Sequence, residues 1–150
     1  MSNDIKRFVN SDPALAPYQS KAPWAEAVEV PPNASLLFVS GQVPPVVDPD
    51  ADPDDRAAYG DTRTQTAGVL RTIEQIVTRK GYEMGDIVKL VGYLCPDPDK
   101  GGEIDLDGFG DAYRDYFKVD GPLPARTRVQ VVQLMNPAWL VEIDVILART

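Results

Sequence analysis

Four ionisable side chains interrupt two otherwise apolar runs near the end of the chain. Arg126 and Arg128 alternate within Pro124-Ala125-Arg126-Thr127-Arg128-Val129-Gln130-Val131-Val132, and Glu142 and Asp144 alternate within Leu140-Val141-Glu142-Ile143-Asp144-Val145-Ile146-Leu147. Both runs are β-branched enough to be strands, and a period of two puts each charged pair on one face. About 6.6 Å of rise separates the two arginines, a spacing at which two guanidinium forks can grip one or two carboxylates. Paired in one sheet, the two runs would bring carboxylate beside guanidinium. The charges either satisfy one another as a structural network or line a binding cleft; Arg128 and Asp144 suit the first reading, Arg126 and Glu142 the second.

Composition narrows the chemistry. The chain has no histidine, which excludes the usual serine–histidine and cysteine–histidine nucleophile pairs and removes the commonest metal ligand. Cys95 is the only cysteine, so no internal disulfide and no thiolate cluster can form. Proton transfer would fall to carboxylate, tyrosine, lysine or ordered water. A net charge of −8 opposes a phosphate backbone, so nucleic acid is a disfavoured partner. No run is apolar enough to span a bilayer, and the start lacks the pattern of an export signal, so a soluble cytoplasmic protein with no membrane partner is expected. The 150 residues suffice for one domain.

Residues 1–22 lack a sustained period and read as an extended N-terminal arm; residues 23–150 read as the domain. Pro23 to Val30 is a candidate strand stopped by Pro31-Pro32-Asn33, and Leu36 to Ser40 a second, so a hairpin is expected. The stretch 46–60 is rich in proline and aspartate. Counted as a calcium loop from Asp48, it puts Pro53 where glycine is needed and Tyr59 where glutamate is needed, so it reads as a solvated loop. Asp61 is a good N-cap for a helix carrying Thr66, Val69, Leu70, Ile73, Ile76 and Val77 up to Gly81. Ile87 to Leu94 is apolar on both faces, the pattern of a covered strand. A second helix runs from Asp105 through Phe109, Tyr113 and Phe117.

This order predicts an α+β layer: a five-stranded sheet with two helices on one face. The other face must meet a further copy of the chain or remain an exposed apolar patch, so a closed homo-oligomer with clefts between subunits is expected. Arg126 and Glu142 would line those clefts.

The segments Leu37-Phe38-Val39-Ser40-Gly41-Gln42-Val43-Pro44, Gln65, Gly85-Asp86-Ile87-Val88-Lys89, Tyr113 to Phe117, Pro124-Ala125-Arg126-Thr127 and Val141-Glu142-Ile143 match, in order and spacing, the reactive intermediate deaminase (Rid, or YjgF) family. The resemblance runs from about Pro23 to Ala148. It implies a chorismate-mutase-like homotrimer whose clefts hydrolyse small carboxylate-bearing imines or enamines, such as 2-aminoacrylate, to ketone and ammonia without metal or organic cofactor. It further implies that Arg126 holds the substrate carboxylate, that Glu142 positions water, and that Ser40 with the Gly41 backbone adds hydrogen bonds. An imine carbon is already electrophilic, so orienting water and clamping the carboxylate can suffice.

Three positions depart from the family pattern. Trp24 stands where a cleft tyrosine is usual, keeping an aromatic wall but losing the hydroxyl. Gly110 or Asp111 stands where some members have asparagine. Arg128 replaces a small residue or cysteine, which suggests a substrate with two carboxylates, such as 2-aminomuconate, unless it pairs with Asp144 or Glu142. A non-catalytic trimeric binder of small carboxylates is the alternative function. A ribonuclease, the activity in the family's older names, is opposed by the acidic balance and the missing histidine.

Overall fold

The computed structural model describes residues 3–9, 12, 14, 17–19 and 21–150. Its longest helix, α1 (Thr62–Arg79), begins where Asp61 accepts a hydrogen bond from the Thr64 amide at 2.8 Å and ends at Lys80, followed by Gly81 at φ 81°. That left-handed position terminates the helix at little steric cost because glycine has no Cβ. The second helix, α2 (Leu106–Tyr116), starts in the same way, with Asp105 accepting from the Gly108 amide at 2.9 Å.

The main sheet has four strands in the order β3 (Ser35–Gln42), β6 (Val141–Arg149), β4 (Ile87–Leu94), β5 (Ala125–Gln130). β4 pairs parallel with β5, and the other two pairings are antiparallel. Both helices cover one face. Val69, Leu70, Ile73 and Val77 of α1, Phe109 and Tyr113 of α2 and Phe117 just after it meet Leu90 and Leu94 of β4 and Val141, Ile143, Val145 and Leu147 of β6 in one buried core. Each such side chain contributes about 1.5–3 kcal/mol through burial. Among the described residues no helix is long and apolar enough to cross a membrane.

Two expectations are corrected. The sheet has four strands rather than five, and Pro23 to Val30 does not form a hairpin with the next strand. Only Ala27–Glu29 of that stretch is a strand, β2, and it pairs with β1 (Lys6–Phe8) in a separate two-stranded ribbon. The physical reason lies at both ends. Ala25 is held at the β5 edge by the hydrogen bond its backbone N–H donates to the Pro124 carbonyl at 2.8 Å, whereas β3 is the opposite edge. Arg7 meanwhile fixes β1, donating to the carbonyls of Ile87 at 2.8 Å, Leu123 at 2.6 Å and Gly85 at 2.8 Å. This bonding satisfies three carbonyls with one side chain, and burial lowers the Arg7 pKa from its ordinary value.

The strands carrying the charged pairs are also not neighbours, because β4 lies between β5 and β6. Apolar on both faces, β4 takes the centre, and the more polar β5 takes the edge.

Candidate functional site

In register with Leu90 of β4, Arg126 projects from β5 toward the helices. Its guanidinium carbon lies 4.2 Å from the centroid of the Trp24 ring and 4.6 Å from that of Tyr113. Trp24 is held in place from both sides, since the Tyr113 hydroxyl donates to the Pro23 carbonyl at 2.7 Å and the Ala25 amide bonds to Pro124. Burial, reinforced by the charge of Arg128, pushes the Arg126 pKa down to about 10, so it keeps its charge at neutral pH. Burial also raises the Tyr113 hydroxyl above its ordinary value, against the pull of the nearby arginine. Among the described residues no carboxylate forms an ion pair with Arg126 or Arg128.

Arg128, in register with Gly92, shares this face. Its guanidinium carbon is 5.5 Å from the Phe109 ring, and its Nη1 donates to the Leu106 carbonyl at 3.4 Å. Gly92 is what lets Phe109 approach, as a Cβ there would come 3.1 Å from the ring. The expected internal pairing of Arg128 with Asp144 or Glu142 is absent within the chain, because those carboxylates belong to the other face of the sheet.

On that other face Glu142 is opposite Tyr93, and Asp144 accepts a hydrogen bond from the Tyr93 hydroxyl at 2.8 Å. This bond, more than the slight burial, raises the Tyr93 pKa. The register of β3 against β6 shifts between Val39 and Gln42, an irregularity that contains Ser40 and Gly41. Gly41 leaves the space that the Glu142 carboxylate occupies: a Cβ there would lie 2.1 Å from the Glu142 Oε1 atom, so the carboxylate would have to move. Ser40 and Gly41 border a shallow groove of about 390 Å³ whose floor includes Asp144 and Ile146. Phe38, also on this face, is 69% exposed, and Leu36 is 51% exposed.

The sequence-predicted residues thus fall into two groups. Trp24, Arg126 and Arg128 gather on the helix side; Ser40, Gly41 and Glu142 gather on the open side. Within a single chain they are separated by the sheet itself.

Phe109 and Tyr113, whose rings lie beside the two arginines, were missed by sequence reasoning. Phe109 and Tyr113 carry the same helical spacing as core residues, and only their register against Arg126 reveals a second role. Gln65 has a structural one: buried, it donates to Gly60 O at 3.0 Å and Ala138 O at 3.1 Å and accepts from the Leu140 amide at 2.7 Å, tying α1 to the start of β6. In the acidic loop, Asp48, Asp52 and Asp55 each bond a backbone amide two residues on, and Arg56 pairs with Asp97 and Asp99. Those aspartates are turn formers.

A protein of the RutC family from Pyrococcus horikoshii is 31% identical over 127 residues, covering 83% of this chain and 85% of the relative. Among solved structures, a YjgF family member from Neisseria meningitidis is 25% identical, with a TM-score of 0.54 over 100% of this chain and 98% of that one. A Rid family protein of unknown function from Yersinia pestis reaches a TM-score of 0.63 at 21% identity, over 85% of this chain and 87% of that one. The family described as Endoribonuclease L-PSP matches residues 14–149, and the chain belongs to that family, known also as Rid or YjgF.

Proposed function

We propose that the protein is a cofactor-independent deaminase that hydrolyses small carboxylate-bearing imines and enamines at seams between identical subunits. The observation that carries this reading is the division of the charged residues by the sheet. Arg126 is half-buried, walled by two aromatic rings and unmatched by any carboxylate among the described residues, while Glu142 rests on Gly41 on the opposite face. A centre using both groups needs two copies, and the exposed Phe38 and Leu36 offer the apolar surface on which a homotrimer would close.

In such a seam the Arg126 fork would bind the substrate carboxylate with paired, charge-assisted hydrogen bonds. The aromatic walls exclude water from that contact. An enamine first takes a proton on carbon to become the imine. Water held by Glu142 then adds to the C=N carbon, its proton passing to the carboxylate or to nitrogen, and the resulting carbinolamine expels ammonia as the ketone forms. One imine and one water thus give one ketone and one ammonia. Ser40 and the Gly41 backbone would hold the water or the nitrogen. Trp24, lacking a hydroxyl, supplies wall and no proton.

The same substitution favours a second reading, a trimer that binds small carboxylates without turning them over. Ammonia release measured while 2-aminoacrylate is generated in situ separates the two. Native protein should accelerate release, and Arg126→Ala should remove at least tenfold of that acceleration. Equal rates for both, with a carboxylate still bound by the native protein, would establish the binder. RNA cleavage persisting in highly purified protein would instead support the endoribonuclease named for the family.

A further inference from the structure

We propose that this site is built for a substrate with two carboxylates, the second held by Arg128 together with Arg114 of α2. The proposal rests on the deaminase reading for the reaction, and on the following geometry for the ligand. Arg126 and Arg128 stand over the same ring, their guanidinium carbons 6.0 and 5.5 Å from the centroid of Phe109. Two like charges thus share one aromatic floor, two residues apart on one face of β5, where a single diacid could meet both. Glycine at position 92 eases that placement, since a Cβ there would press on the Phe109 ring at 3.1 Å.

Arg114 approaches from the helix. Gly110, one turn earlier, leaves it room: a Cβ at that position would lie 3.1 Å from the Arg114 Nη1 atom. The arginine's ion pair, with Asp111, is long at 3.6 Å and solvent-exposed at both ends, so little holds it away from a ligand. Arg128 is similarly uncommitted, its carbonyl contact with Leu106 being 3.4 Å long. Burial is the main cause that lowers the pKa of Arg126 and of Arg128, and the neighbouring guanidinium charges lower them further, Arg114 acting on Arg128 and both acting on Arg126.

One substrate carboxylate would neutralise Arg126 and leave Arg128 half-buried beside Arg114 with no anion. A second carboxylate relieves that repulsion. In a chain of net charge −8, the concentration of positive charge at this edge is a local feature rather than a general one.

Calorimetric titration with two unreactive oxo acids, 2-oxobutyrate and 2-oxoglutarate, reads the second subsite without turnover. The native protein should bind the diacid about tenfold more tightly or better. Arg128→Gln should narrow that preference to about threefold or less, with Arg114→Gln narrowing it partway. Circular dichroism and melting establish that both variants fold. Equal affinity for the two acids, or a preference that neither variant narrows, overturns the proposal. Ammonia release from imines formed in situ by oxidising alanine or glutamate tests the deaminase reading separately. If native protein prefers the diacid yet releases ammonia no faster than Arg126→Ala, the reaction assignment fails and the diacid subsite stands.

Discussion

Arg126 is held between Trp24 and Tyr113, and burial, reinforced by the charge of Arg128, brings its pKa down from its ordinary value to about 10, so its charged form opposes folding at neutral pH. Between those two values the native state binds fewer protons than the unfolded chain, and stability rises with pH across that window. Below it the penalty is constant. Arg126→Met keeps an unbranched side chain that packs well against aromatic rings, without the charge. It should therefore melt no lower than the native protein by scanning fluorimetry, while carboxylate-dependent ammonia release falls at least tenfold. A side chain retained against stability is one expected at a functional site. Gly41 gives a complementary test, because its missing Cβ is where the Glu142 carboxylate rests. Gly41→Ala should push that carboxylate aside, lowering kcat by about tenfold or more in the ammonia assay with KM changed less.

At the scale of elements, Gln65 makes α1 and the approach to β6 one unit. Gln65→Leu strands the buried Leu140 amide and two carbonyls, so urea denaturation should show a loss of about 2–4 kcal/mol. Both helices and β4 were legible in the sequence because their signals are local: helical spacing after Asp61 and Asp105, and an apolar run on both faces of Ile87–Leu94. The strand order was not. Adjacency is a non-local choice, and nothing in the β5 or β6 runs records that β4 separates them. The pairing of Lys6–Phe8 was equally hidden, since that three-residue strand is fixed by the hydrogen bonds of Arg7 rather than by apolar periodicity. Proline spacing suggested a hairpin for residues 23–40, but the anchor at Ala25 holds this segment at the opposite edge of the sheet.

Considered as a whole molecule, the chain covers one face of its sheet and leaves Leu36 and Phe38 on the other. The count of helices against strands made that imbalance readable from the sequence. Alternation also told which charges share a face: Arg126 with Arg128, Glu142 with Asp144. It could not tell that the two pairs point in opposite directions, because a period of two fixes relative orientation within a strand and says nothing about its relation to another. The contributions of Phe109 and Tyr113 to the arginine side were obscured for a related reason, as core packing and aromatic support of a cation leave the same spacing in a helix.

On the proposed reading, that opposition of faces would make each polypeptide half a catalyst twice over, donating its arginine to one junction and its glutamate to another. Chains carrying Arg126→Ala and chains carrying Glu142→Ala should each be inactive alone, yet regain about one-quarter of native ammonia release when equal amounts are unfolded together and reassembled. Random shuffling gives one junction in four both intact side chains. Failure of the mixed preparation to exceed its parents would mean that both groups serve the same protomer, or that the reaction does not use both.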